Sequence, residues 1–172
     1  FEKVYMHGWL KKQIKSQREM VCYSALVAIN NDMPFDSVIN QINQHADNSG
    51  FIAALDEDLY EPRPNQVNLI KAILLRLDME QQDESVIKTY TGRITIEHIL
   101  PQALVNEYWI NRFQPQEHVY WLHKIGNLTL ISGSKNSETQ HYDFIKKKSI
   151  YEKLNSKSSF YLTKDVCNSS EW

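Results

Sequence analysis

Residues 94–102, Ile94-Thr95-Ile96-Glu97-His98-Ile99-Leu100-Pro101-Gln102, constrain the chain more than any other stretch. Apolar and β-branched residues bracket an acid and a histidine, a strand pattern that carries two ionisable groups. Pro101 ends the run and holds Leu100 extended, because the proline ring disfavours helical backbone at the residue before it. Gly126 marks a turn, and Asn127–Ser132 reads as a second strand. Ser134 is a candidate N-cap for a helix running to residue 154 through Tyr142, Ile145, Tyr151 and Leu154.

Upstream the apolar period is helical. Val4, Met6, Trp9, Leu10 and Ile14, continued by Val21, Ala25, Leu26 and Ile29, predict helix over 2–30, ended by Asn30-Asn31-Asp32 and Pro34. Asp36 is an N-cap candidate for a helix over 37–46, and Asn48-Ser49-Gly50 reads as a turn before a short acidic helix over 51–60. Pro62 and Pro64 break that helix, and Val67, Ile70, Leu74 and Leu75 lie on one face of a helix over 65–81. The polar run Gln81–Ser85 is the best internal boundary, giving a helical subdomain over 1–84 and a second subdomain over 85–172. Beyond it, residues 86–90 and 93–96 around Thr91-Gly92 predict a hairpin. Residues 103–113 and 116–124 predict two short aromatic-rich helices, and 155–172 a polar tail with a few apolar anchors. The expected class is α+β, mostly helical.

Composition narrows the function. No run of about 18 apolar residues occurs, so no transmembrane helix is expected. Cys22 and Cys167 are too few for a disulfide framework or a cysteine-built zinc site, and reduced thiols in a cytoplasm are the simplest reading. The chain starts on Phe1 rather than Met, which suggests a fragment of a longer protein. Charge is uneven: residues 1–84 hold 8 Lys/Arg against 13 Asp/Glu, and residues 85–172 hold 11 against 8. A basic second half permits one phosphate-binding face, although ordinary charge scatter explains the numbers equally well.

Hydrolysis of a phosphodiester needs an activated water, a cation to neutralise the transition state, and groups that hold the backbone. A neutral imidazole accepts a proton near working pH, so His98 suits the general base. A hard cation, Mg²⁺ or Mn²⁺, takes oxygen ligands and keeps several waters, so the carboxylate of Glu97 and the amide oxygen of Asn136 suffice to hold it. Asn127 would use its amide to tie the loop after the first strand and fix the His98 ring. Lys146, Lys147 and Lys148 offer phosphate contacts to DNA. One obstacle stands: neighbours on a regular strand point to opposite faces, so Glu97 and His98 share a site only if the backbone departs from regular β there. Otherwise His98 packs among its apolar neighbours and Glu97 is solvated. His7 and His45 read as surface or satisfied core residues, while His123 and His141 lie near the site in sequence.

The set Ile96-Glu97-His98-Ile99-Leu100-Pro101-Gln102, Ile125-Gly126-Asn127-Leu128-Thr129-Leu130 and Asn136-Ser137, continuing through Phe144, Lys147 and Tyr151, resembles the C-terminal HNH nuclease domain of GmrSD-type restriction proteins. The resemblance implies a ββα-metal (HNH) nuclease core on which the N-terminal helical subdomain packs. It implies a divalent-metal-dependent DNA endonuclease or nickase of bacterial antiphage defence. It also implies an upstream nucleotide-hydrolysing sensor domain, for which this chain shows no phosphate-binding Gly-rich loop. Matched by position, His98 is the base, Glu97 its adjacent acid, and Asn127 and Asn136 the two asparagines. At 141 the family more often has Asn, which leaves His141 either a metal ligand or a bystander. The competing reading is a non-catalytic DNA-binding or partner-docking module on a degenerate HNH fold. A Cys/His hydrolase finds no support, since neither cysteine sits in a recognisable site.

Overall fold

The computed structural model describes residues 1–46, 48–60, 64–85, 88–152 and 160–172. It is an α+β structure, mostly helical, and it divides into two compact units, Phe1–Glu57 and Asp58–Trp172.

The first unit is helical: α1 (Glu2–Leu10), α2 (Lys15–Asn30), α3 (Phe35–Asn43) and α4 (Asn48–Leu55). Its core gathers Val4 from α1, Val21, Ala25 and Ala28 from α2, and Val38 and Ile42 from α3. The helix expected over 2–30 is two helices. Lys12 adopts φ 59 and the Gln13 amide reaches back to the Gly8 carbonyl at 2.9 Å, which closes α1 and turns the chain. The break lets Val4 meet Val21 and Ala25, a contact a continuous helix cannot make. Residues 48–50, expected as a turn, begin α4 instead.

The second unit starts with α5 (Pro64–Glu80), whose buried Leu69, Ile70, Ile73 and Leu74 form one stripe facing the sheet and the last helix. Each such side chain contributes about 1.5–3 kcal/mol when fully buried. β1 (Ile94–His98) pairs antiparallel with β2 (Leu128–Ser132), in the register Ile94↔Ser132, Ile96↔Leu130, His98↔Leu128. In place of the predicted local hairpin, β1 pairs with a strand thirty or more residues further along the chain. Val86 and Ile87 lie outside the described residues, and Lys88 and Tyr90 send their side chains to Asp78 of α5 at 3.1 and 2.8 Å.

Between the strands come α6 (Glu107–Ile110), α7 (Pro115–Leu122) and a 3₁₀ turn (Ile125–Asn127). Asn106 caps α6, and at the start of α7 the Glu117 carboxylate accepts from the Gln114 amide at 2.8 Å. Trp109 is fully buried with Ile99, Leu100 and Phe144, and its indole N–H donates to the Tyr142 carbonyl at 2.8 Å.

After β2 the single expected helix is two, α8 (Gly133–Thr139), whose N-cap position is Ser132 rather than Ser134, and α9 (Phe144–Tyr151). Gln140 at φ 37 ends α8, and the Asp143 side chain accepts from the Lys146 amide to start α9. Part of the expected tail is α10 (Tyr161–Asn168), held where the buried Thr163 hydroxyl meets Thr129 at 2.9 Å and donates to the Leu130 carbonyl. Residues 155–159 of that tail lie outside the described residues. Among the described residues no helix is long and apolar enough to cross a membrane.

Candidate active site

The phase of the β1–β2 ladder decides which backbone groups face the site. The Ile99 amide donates to the Asn127 carbonyl at 3.0 Å, continuing the register past His98. In an antiparallel pair, hydrogen-bonded and non-bonded positions alternate, so the carbonyls of Ile96 and His98 point away from β2. Both find side-chain donors. Asn136 of α8 donates its amide to the Ile96 carbonyl at 3.4 Å, and Lys147 of α9 donates to the His98 carbonyl at 2.7 Å. The open edge of β1 is thus covered by the two helices that follow β2.

A cleft of about 220 Å³ runs along that edge, lined by Ile96, Glu97, His98, Gln102, Asn136 and His141, with Tyr60 and Pro101 at its wall. Three consecutive β1 residues line it, so it opens along the strand's edge and end rather than on one face. Strand alternation therefore does not keep Glu97 from lining the same cleft as His98. Glu97, His98, Asn136 and His141, the expected base and metal ligands, come together in one cleft. His141 is exposed at the rim, where the turn after Gln140 carries it.

His98 is 6% exposed. The Tyr60 and His123 rings meet it edge-on, with centroids 4.4 and 5.5 Å away. Its Nδ1 lies 3.2 Å from the Gln102 side-chain amide nitrogen, and its Nε2 is buried without a hydrogen-bond partner. Burial, then His123 and Lys147, hold the imidazole down to about 3, so it is neutral at pH 7, and its Nδ1 lone pair accepts from the Gln102 amide.

Asn127 does not line the cleft. Its Oδ1 accepts from the Leu100 amide at 2.6 Å, and its Nδ2 donates to the carbonyls of Leu100 at 3.1 Å and Leu122 at 2.9 Å. It ties the loop after β1, as its position suggested. The polar contact to the His98 ring comes from Gln102 instead.

Glu97 is buried, and its Oε1 accepts from Lys147 Nζ at 2.8 Å and from the Tyr151 hydroxyl at 3.2 Å. Burial pushes the carboxyl up, against the pull of Lys147, and burial pushes the Lys147 ammonium down. The phosphate contact expected of Lys147 is corrected here. It is 1% exposed, because position 147 is on the α9 face that also buries Phe144, Ile150 and Tyr151. Lys146 is exposed, and half-buried Lys148 donates to the Ser169 carbonyl at 2.6 Å.

Among the described residues no three His, Cys, Asp or Glu side chains cluster as a ready-made metal centre. The oxygen donors along the cleft include the Glu97 carboxylate and the side-chain amides of Gln102, Asn136 and Gln140, with the Asn136 nitrogen bonded to the Ile96 carbonyl. That set fits a hard, well-hydrated cation rather than zinc. Tyr60 and Thr139, which also line the cleft, escaped the sequence reading, because Tyr60 lies far upstream of the motif and Thr139 reads as an ordinary helix position. Tyr151 belongs to the set that resembles the family, but no site role was assigned to it.

A family model for the C-terminal domain of GmrSD restriction endonucleases matches residues 45–172. No curated protein and no solved structure matches the chain. The chain belongs to the family of GmrSD restriction endonuclease C-terminal domains, and that membership implies a nuclease role in restriction, with DNA as substrate.

Proposed function

We propose that this domain is an HNH-type, metal-dependent DNA endonuclease or nickase of modification-dependent antiphage restriction, controlled by an upstream nucleotide-hydrolysing sensor domain. The observation that carries the reading is the convergence of Glu97 and His98 from one sequence motif and Asn136 from another on one polar cleft. Glu97 and Asn136 would hold Mg²⁺ or Mn²⁺, with His141 a further donor at the rim. The bound cation would supply Lewis acidity at the phosphodiester.

His98 does the proton chemistry in this reading. Nδ1 faces the Gln102 amide at 3.2 Å. A water that displaces this amide meets the same lone pair and loses its proton to it. Asn127 holds Leu100, and through it the loop that follows the base, so that His98 keeps its place on the cleft wall. Lys146, together with Lys148 if its contact to Ser169 opens, would hold the phosphate backbone.

The test is plasmid nicking with Mg²⁺ or Mn²⁺. His98→Ala should lower the rate about 10²–10⁴-fold, the range for removing a general base. Wild-type protein that binds DNA but nicks with neither metal would favour the non-catalytic module.

A further inference from the structure

Lys147 is a buried cation with two bonds, and both end on the site. Its Nζ reaches Glu97 Oε1 at 2.8 Å and the His98 carbonyl at 2.7 Å. One turn further along α9, the Tyr151 hydroxyl reaches the same Glu97 oxygen at 3.2 Å. Neither side chain is open to solvent, with Lys147 at 1% and Tyr151 at 0% exposure. The α9 helix therefore grips the proposed ligand and the backbone of the proposed base together. Both donors converge on Oε1, although Glu97 also lines the cleft.

We infer that Lys147 and Tyr151 are positioning residues of the nuclease site, holding Glu97 by one carboxylate oxygen and thereby turning the carboxylate toward a divalent cation in the cleft. The inference rests on the reading that Glu97 holds the cation. Losing a group that orients a metal ligand from behind lowers metal affinity or activity about 10–100-fold. A phosphate-binding lysine would act differently, since it would set DNA affinity and leave metal affinity alone.

Two variants of the 172-residue chain separate these roles. Tyr151→Phe removes one hydroxyl and no charge. Lys147→Met removes both bonds and a positive charge. Loss of Lys147 also removes the charge that opposes protonation of Glu97, so weaker binding in Lys147→Met counts as lost positioning only where it persists as pH is raised. Mn²⁺ affinity is read from the electron paramagnetic resonance of free Mn²⁺, with no DNA present, and the fold is checked by circular dichroism. Both variants should weaken Mn²⁺ binding about 10-fold. They should also lower kcat for plasmid nicking while leaving KM for DNA unchanged. If Lys147→Met fails to fold, Tyr151→Phe decides alone. Wild-type Mn²⁺ affinity in folded Tyr151→Phe, or unchanged or tighter binding in folded Lys147→Met, overturns the inference. If Glu97→Gln binds Mn²⁺ as well as wild type, the assignment of Glu97 as ligand fails, which is a separate result.

Discussion

Asn127 shows how one side chain fixes the loop after β1 without touching the cleft. Its amide satisfies three buried backbone groups, the Leu100 N–H and the carbonyls of Leu100 and Leu122. An unsatisfied buried group costs about 1–3 kcal/mol. Asn127→Ala should therefore lower the unfolding free energy by about 3 kcal/mol or more in urea denaturation. Nicking should fall as well, because Leu100 lies two residues beyond His98. Asn127→Asp is the sharper probe. Its carboxylate still accepts from Leu100 but faces two carbonyls with no proton to give, so it should be no better than alanine. A loss under about 1 kcal/mol for either variant would mean that the loop is held by other means.

At the scale of elements, the contact that organises the second unit is Asp78 on α5. This fully buried carboxylate accepts from Lys88, Tyr90 and the Leu162 amide at the start of α10. Burial, then Asp78, push the Tyr90 phenol up from 10 to about 12. A group whose folded pKa is raised supports the fold fully below its unfolded value, and that support is lost as pH rises through the folded one. Stability should thus fall between about pH 10 and 12 beyond the loss from other titrating groups, and Tyr90→Phe should flatten that part of the curve in thermal melts followed by circular dichroism. Equal slopes in both proteins would show that the phenol does not feel Asp78. The same contact explains what the sequence could and could not reveal. Residues 88–90 carry strand propensity, but strand partners are chosen by the fold, and the buried acid ten residues upstream claims their polar side chains. The true partner of β1 begins at Leu128, across two helices that no local pattern could bridge. Period and capping residues did disclose α5, both strands and the order of the motif. Positive φ at Lys12 and Gln140 broke two predicted helices, and neither residue type announces that conformation. Burial of Lys147 was hidden for a similar reason. In a run of three lysines, only the packing of α9 decides which one faces inward.

For the molecule as a whole, charge limits how it can meet DNA. The unit Asp58–Trp172 holds 14 Lys/Arg and 14 Asp/Glu, so it presents no net charge to a polyanion. With Lys147 buried, Lys146 and Lys148 remain from the α9 triplet, the second of them bonded to Ser169. Each phosphate neutralised contributes about −0.9 to the slope of log K against log salt on duplex DNA. Two contacts from α9 would contribute about −1.8, a weak hold on duplex DNA. Lys146→Ala should reduce the measured slope by about 0.9, and folded Lys147→Met should leave it unchanged, as read by fluorescence anisotropy of labelled duplex across a salt series. A slope that drops equally for both variants would return Lys147 to the DNA-binding surface. A slope indifferent to Lys146 would move the phosphate track off α9 altogether.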